Sequence, residues 1–197
     1  MVNKSQRSRI APKWTTWTLP LLLGTITCAP LDVISLEESS TTTVPKASIF
    51  EQLIGDLGFG SFINIDLVDN TQLQNQGVER HQIDSVYATS FTLAITQPTS
   101  GQDFSFVDSL QFFVNAENLP KMRIASGSNF PMGAKELALN LDPLDLAPYA
   151  AAESMTITSD VEGRRPMEET DIEATILLEI DLNIGGLVCG PPSDSES

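Results

Sequence analysis

Hydrophobic and polar residues alternate along most of the chain between Ser61 and Ile184. Successive side chains of a β-strand point to opposite faces of the sheet, so this period of two predicts strands with one face in a core and the other in water. The most regular run covers 171–184, and the other runs begin near Ile63, Ile83, Leu110, Met122, Leu137 and Met155. In the long run 83–95 the larger side chains occupy odd positions, which predicts that the odd row faces the core.

Short turn signals separate these runs, and no strand-helix-strand rhythm interrupts them. The turn signals are Gln97–Gly101, Asn118–Pro120, Ser126–Asn129 and Glu162–Pro166. The fold class predicted is a mostly β, antiparallel β-sandwich of about seven or eight strands, immunoglobulin-like or jelly-roll-like.

Two segments before the alternating region carry other patterns. Ser35–Thr43 contains one apolar residue in nine, which predicts a solvated tether. Ser48-Ile-Phe-Glu51 is a capping-box pattern followed by apolar residues at helical spacing, which predicts one short N-terminal helix over 48–57.

The first 27 residues follow a different rule from the rest. They hold four basic residues and no acidic one, and then a short apolar run that ends just before Cys28. This arrangement is typical of a secretory signal peptide, and its apolar run is shorter than the roughly 20 residues that span a bilayer.

Two processing sites compete at the end of this segment. Cleavage before Cys28 would resemble lipoprotein processing, in which the cysteine sulfur receives a diacylglycerol, although Thr25 and Thr27 depart from the usual pattern there. Cleavage after Ala29 would place Pro30 directly after the scissile bond, which is a poor fit. Lipidation of Cys28 is the preferred reading. Cys189 then has no disulfide partner.

The predicted organisation therefore has four parts. Residues 1–27 form a signal peptide, 28–47 a lipidated cysteine and flexible tether, 48–185 the β-sandwich domain, and 186–197 a disordered tail. The domain would be anchored to a membrane by its lipid and would not span it.

Composition narrows the range of partners. The chain has 11 basic and 26 acidic residues, and because four of the basic ones precede Cys28, the remainder carries a formal charge of −19. Nucleic acid is excluded as a partner, since its binding needs clustered Lys and Arg. Two cysteines and one histidine exclude a disulfide-dense scaffold and a zinc centre.

The sequence contains no recognisable catalytic motif. His81 is not accompanied by the Gly-x-Ser-x-Gly pattern that would supply the nucleophile of a catalytic triad. Calcium is the one cofactor that the carboxylates admit, because hard cations take carboxylate oxygens. The weak candidates are two pairs, Asp142 with Asp145 and Asp66 with Asp69, and turn formation by Asp is the alternative.

Two sets of charged residues are also predicted to lie at the surface. The acidic row of 171–183 is either a solvated outer face that discourages edge pairing or a cation-binding strip. Arg164 and Arg165 are expected at a hairpin tip, solvated or in contact with an acidic partner.

Five segments between about 75 and 184 form a pattern of their own: Asn75–Val78, Ile83–Val86, Asp103–Leu110, Asn118–Ala125 and Asp145–Tyr149. In these segments and their order, the chain resembles a group of uncharacterised lipoproteins of myxobacteria. The resemblance implies an envelope lipoprotein and transfers no catalytic residue.

The function predicted is that of a non-enzymatic lipoprotein of a bacterial cell envelope, with Ala29 after the cysteine compatible with sorting to the outer membrane. It would bind an envelope protein or polysaccharide. Two alternatives stay open: a periplasmic carrier that holds an apolar ligand between its sheets, and a calcium-stabilised, adhesin-like secreted domain.

Overall fold

The computed structural model describes residues 33–48, 52–62, 65–67, 70–75, 77–152 and 154–183, and it is built from two antiparallel sheets. The predicted β-sandwich class is confirmed. The strands are β1 Val33–Val44, β2 Gln52–Gly55, β3 Ile83–Gln97, β4 Val107–Ala116, β5 Met122–Ser128, β6 Glu136–Ala138, β7 Asn140–Leu141, β8 Met155–Arg164 and β9 Thr170–Leu182. Two short helices, α1 Thr71–Asn75 and α2 Ala147–Ala150, lie in connections.

The strand order identifies the type of sandwich. One sheet has the order β1-β9-β3-β6, and the other has the order β2-β8-β4-β5-β7. The pairs are nested along the chain: β1 with β9, β2 with β8, β3 with β6, and β4 with β5. Nested antiparallel pairs distributed over two sheets are the jelly-roll arrangement, with β7 added at one edge.

Strand β9 confirms the alternation that the sequence shows most clearly. All of its even-numbered residues from Thr170 to Leu182 are buried, and its odd-numbered residues face outward. The strand lies between β1 and β3, so it is an inner strand of its sheet. The prediction that its acidic row discourages edge pairing is therefore wrong, because β9 has no free edge.

The tether predicted at 28–47 is wrong for residues 33–44, which form β1. All twelve residues pair in register with β9, from Val33 opposite Asp181 to Val44 opposite Thr170. Inward positions of β1 hold small polar side chains, Ser40 and Thr42, as well as aliphatic ones. β-Branched threonine fits a half-buried strand, so low hydrophobicity alone did not exclude one here.

The helix predicted at 48–57 is also wrong. Residues 52–55 form β2, which pairs with β8 from Gln52 opposite Arg164 to Gly55 opposite Val161. Residues 49–51 lie outside the described part of the chain. Pairing with β8 supplies hydrogen bonds that an isolated short helix could not match, so tertiary context outweighs the local capping pattern.

Strand β3 departs from the predicted odd row because of a β-bulge. Its register against β9 shifts between Ala88 and Ser90, so one extra residue is inserted at that point. Before the bulge Val86 is buried and Tyr87 is exposed, whereas beyond it Phe91 is buried. A one-residue insertion exchanges the two faces of a strand, so only the second half of the run obeys the prediction.

The run that begins near Ile63 does not form a regular strand in the described residues. Residues 60–62 form a 3-10 turn, and Ile65 makes an isolated bridge to Met155. The run at 137–141 keeps its alternation but divides between β6 and β7, which belong to different sheets.

The core between the sheets is centred on four phenylalanines. Phe91 of β3 and Phe112 of β4 have ring centroids 4.2 Å apart across the two sheets. Phe59 and Phe62, from the β2–β3 connection, pack against them at 5.7 and 6.2 Å. Buried side chains from every strand except β2 and β7 continue this cluster, so the facing sheet surfaces are joined through packed apolar groups.

Candidate functional site

The outward face of the β1-β9-β3-β6 sheet carries an acidic surface. Its six carboxylates come from three strands, and we call this set the acidic face: Glu37, Glu136, Asp171, Glu173, Glu179 and Asp181. No Lys or Arg occupies an outward position on the described strands of this sheet. Backbone positions two apart on a strand are separated by about 7 Å, and no three carboxylates of the described residues come together in a group that could hold a metal.

The carboxylates predicted as calcium ligands have other partners where the structure describes them. Asp142 receives hydrogen bonds from Arg123, with Nε to Oδ2 at 2.6 Å and Nη2 to Oδ1 at 3.3 Å, and these hydrogen bonds lower the pKa of Asp142. Asp66 is ion-paired with Arg80, whose other guanidinium nitrogen donates to the carbonyl of Ala152.

Asp145 accepts hydrogen bonds from two backbone N–H groups. Its Oδ1 accepts the backbone N–H of Ala147 at 2.9 Å, at the start of α2, and that of Val86 at 3.0 Å. Tyr149 is buried under the β4–β5 connection, and its hydroxyl donates to the carbonyl of Pro120 at 2.7 Å. Asp142 and Asp145 are thus held by different partners, and within the described ranges no three acidic, histidine or cysteine side chains form a cluster suited to a metal. Calcium binding stays a prediction.

Several predicted features lie outside the described residues: the signal peptide, Cys28, Asp69, Cys189 and the tail 186–197. Among the described helices, none combines the length and hydrophobicity needed to cross a bilayer. His81 is exposed, and its Nδ1 lies 3.2 Å from the carboxylate of Glu79.

Two clefts flank the short edge strand β6. One has a volume of about 300 Å³ and is lined in part by Phe130, Pro131 and Leu137. The other has a volume of about 350 Å³ and lies along the pairing of β6 with β3. Both open to solvent at the edge of the sheet, so neither is the closed apolar cavity between sheets that a carrier would need.

Four connections meet at one end of the sandwich, and we call this surface the loop end. It consists of the described residues of the β1–β2 connection, 45–48, together with the connections 98–106, 129–135 and 165–169. The antiparallel register places them together, because Val44 lies opposite Thr170, Gln97 opposite Asp171, and Val107 opposite Gly163.

Hydrogen bonds join the connections of the loop end in pairs. Ala47 N–H donates to the Pro166 carbonyl at 2.9 Å, and Phe104 N–H donates to the Ala134 carbonyl at 2.9 Å. Asp103 accepts from the hydroxyl and N–H of Ser105 and from the N–H of Gly133, and these hydrogen bonds lower the pKa of Asp103.

The loop end also carries exposed apolar side chains and basic side chains. Met132 and Met167 are each 90% exposed, more than any other large hydrophobic residue described. Lys46 and Arg164 are exposed, while Lys135 and Arg165 are half-buried. Sequence analysis singled out only Arg164 and Arg165. The connection between β8 and β9 joins the two sheets, so the predicted hairpin tip is wrong.

A polar network crosses from one sheet to the other beside β2. Ser159 of β8 donates to Asp56 Oδ1 at 2.7 Å and accepts the N–H of Leu57 at 2.8 Å, while Thr42 of β1 donates to the Leu57 carbonyl at 2.5 Å. Burial opposes ionisation of Asp56, but hydrogen bonds from Gly58 and Ser159 outweigh it and lower the pKa of Asp56.

We expect Ser159→Ala to reduce the free energy of unfolding by about 2 kcal/mol, because Leu57 N–H and Asp56 then lose a buried partner. Denaturant unfolding of the purified chain measures the loss. Folding lowers the pKa of Asp56, so the ionised carboxylate stabilises the fold at pH values above its unfolded pKa of about 3.9. This stabilisation is lost as the pH falls through the folded pKa. The difference in free energy of unfolding between the wild type and Ser159→Ala should therefore become smaller in acid.

The control for this network is Ser35→Ala, at an exposed outward position of β1. It should change the free energy of unfolding by less than about 0.5 kcal/mol. Equal effects of the two substitutions would show that the network does not stabilise the fold.

Comparisons with known proteins add little to this description. No protein-family model and no curated protein matches the chain. Among solved structures, the chain is similar to the BFDV capsid protein in a decameric assembly, with 11% identity over 75% of this chain and 97% of that chain and a TM-score of 0.33. The 60-mer of the BFDV capsid protein gives 10% identity, 76% and 93% coverage, and a TM-score of 0.31. These low scores carry no argument, and the class of protein, an antiparallel jelly-roll β-sandwich, rests on strand order alone.

Proposed function

We propose that this chain is a non-enzymatic lipoprotein of a bacterial cell envelope. The proposal is tested most directly at Cys28, the predicted site of lipidation. Acyl chains on Cys28 would hold a jelly-roll domain at a membrane, where it binds an envelope protein or polysaccharide. Two or three acyl chains suffice for stable anchoring, since each buried CH₂ contributes about 0.8 kcal/mol. The resemblance to uncharacterised myxobacterial lipoproteins supports an envelope lipoprotein, and the residue Ala29 is compatible with the outer membrane.

The observation that carries the proposal is how soon the domain begins after the cysteine. β1 starts at Val33, only five residues beyond Cys28. Whatever conformation they adopt, five residues span at most about 18 Å. A lipid on Cys28 would therefore keep the start of β1 close to the membrane surface, in place of the long flexible tether that the sequence predicted.

The interior favours binding through the surface over carriage of an apolar ligand. The four central phenylalanines contact one another between the sheets, and Phe62 and Phe112 have no exposed area. A ligand placed between the sheets would have to displace them. Asp66 and Asp142 form ion pairs with Arg80 and Arg123. These pairs support a structural role for the two carboxylates over a catalytic one.

Incorporation of radiolabelled palmitate tests the anchor. We expect label in the wild type and none in Cys28→Ser, because the thioether at that sulfur begins lipoprotein processing. Cys189→Ser is the matched control and should keep its label. An unlabelled wild type, with a soluble product that begins after residue 29, would overturn the proposal.

A further inference from the structure

The loop end differs in charge from the rest of the domain. Of the seven basic residues beyond Cys28, four belong to it or adjoin it: Lys46, Lys135, Arg164 and Arg165. The other three lie elsewhere in the domain. Arg80 pairs with Asp66, Arg123 pairs with Asp142, and Lys121 lies over the ring of Phe113 at 4.6 Å.

Carboxylates at the loop end do not reverse this asymmetry. Counted on the same basis, four carboxylates belong to it or adjoin it: Asp103, Glu136, Glu168 and Glu169. Asp103 accepts three hydrogen bonds from neighbouring groups. Glu168 and Glu169 are exposed in the β8–β9 connection. Four basic groups against four carboxylates make this end nearly neutral, whereas the chain beyond Cys28 carries −19. A partner with an acidic surface would be repelled by the rest of the domain and would meet the least repulsion at the loop end.

Exposed methionines give the same surface an apolar component. Met132 and Met167 lie on different connections of the loop end, and each is 90% exposed. Methionine and arginine are enriched at protein interfaces, because methionine adapts to irregular partners and arginine forms charge-assisted hydrogen bonds. Glycan binding would favour exposed aromatic rings, and the described residues of these connections offer none that is exposed.

The connections are also held in place before any partner arrives. Bonds between Ala47 and Pro166, and between Phe104 and Ala134, fix them in pairs, and Lys135 Nζ donates to the Thr99 carbonyl at 2.5 Å. A preorganised surface loses less conformational entropy on binding than a flexible one.

We propose that the loop end is the docking surface of this domain, and that its partner is a protein whose contact surface carries carboxylates around an apolar patch. Met132 and Met167 would enter the apolar patch, and Lys46 and Arg164 would pair with carboxylates at its rim. The orientation of the surface rests on the proposed function. A lipid at Cys28 would lie near the start of β1, and the twelve residues of β1 put the loop end about 40 Å away along that strand.

Site-specific photocrosslinking in the bacterial envelope tests this surface with the full chain. The probe is benzoylphenylalanine, placed singly at Met132, at Met167 or, as the matched control, at Met122. Met122 is 41% exposed and begins β5 at the opposite end of the sandwich. We expect adducts to one protein from 132 and 167, with at least about a fivefold lower yield from 122 and a similar loss on Arg164→Glu or Lys46→Glu.

Mass spectrometry of the adducts decides the nature of the partner. A crosslinked peptide rich in Asp and Glu, whose yield falls in 0.5 M salt, supports the proposal. Adducts to a second copy of this chain, to lipid or to polysaccharide overturn it, as does a yield that Arg164→Glu leaves unchanged. Equal yields at all three positions would also overturn it.

Measuring palmitate uptake in the same cells separates the two proposals. Adducts from 132 and 167 in a wild type that takes up no palmitate would remove the anchor and leave the docking surface. Palmitate uptake without adducts above the level at 122 would remove the docking surface and leave the anchor.

Discussion

Replacing Phe112 by alanine is expected to lower the free energy of unfolding by about 4 kcal/mol, because it removes a fully buried ring and leaves a cavity. Phe112 is the residue of β4 that contacts both Phe91 of the facing sheet and Phe59. For a chain of this size the melting temperature should fall by about 10 °C. Denaturant and thermal unfolding, followed by circular dichroism, measure both quantities.

The matched control is the next residue, Phe113→Ala. Phe113 is partly exposed on the other face of β4, where Lys121 lies over its ring. Its loss should cost about 1 kcal/mol. The two substitutions remove the same atoms from neighbouring positions, so comparable losses would mean that β4 does not present alternate residues to the core.

Strands whose two faces differ in polarity could be predicted from the sequence. Apart from Thr170, the even row of β9 and the buried row of β4 consist of aliphatic, aromatic or alanine side chains, so the period of two is visible without a structure. β1 could not be found this way, because Ser40 and Thr42 occupy inward positions. Its burial depends on a partner strand 126 or more residues later in the chain, from Val44 to Thr170, and no local pattern reports it.

The sequence could not predict the strand register or the sheet to which each strand belongs. A bulge at Thr89 exchanges the faces of β3 in the middle of an apparently uniform run, because the extra residue has no opposite partner in β9 and shifts the alternation by one. Sequence alternation also left immunoglobulin-like and jelly-roll-like orders open. Only the nested pairing of β1 with β9 and β2 with β8 distinguishes them.

The candidate surface was harder to predict than the fold. Lys46 and Arg164 are 118 positions apart, and Met132 lies in a third connection. None of the three stands out by itself, and only the strand order brings these positions to one end. Arg164 and Arg165 were visible as an adjacent pair, but the methionines were not, because an isolated methionine in a turn carries no pattern.

Replacing Gly163 by alanine is expected to destabilise the fold by about 3 kcal/mol, at the upper end of what overpacking usually costs. A Cβ built on Gly163 would lie 2.3 Å from the carbonyl oxygen of Phe106 and 3.0 Å from Cα of Val107. Both are backbone atoms, at the place where β4 shifts register against β8. Relief therefore requires the two strands to separate, which weakens the pairing that supports Arg164 and the loop end.

Substitutions at two other glycines are the controls for the predicted loss of stability in Gly163→Ala. Gly60→Ala should be nearly neutral, because a Cβ there meets nothing within 4 Å, and Gly127→Ala should cost about 1 kcal/mol, because its Cβ meets only the movable ends of Phe130 and Leu139. Denaturant unfolding of the three variants should rank Gly163 first, Gly127 second and Gly60 last. If Gly163→Ala unfolds at the wild-type midpoint, β4 and β8 do not approach as closely as described. The loop end would then lack the rigid support on which its docking role depends.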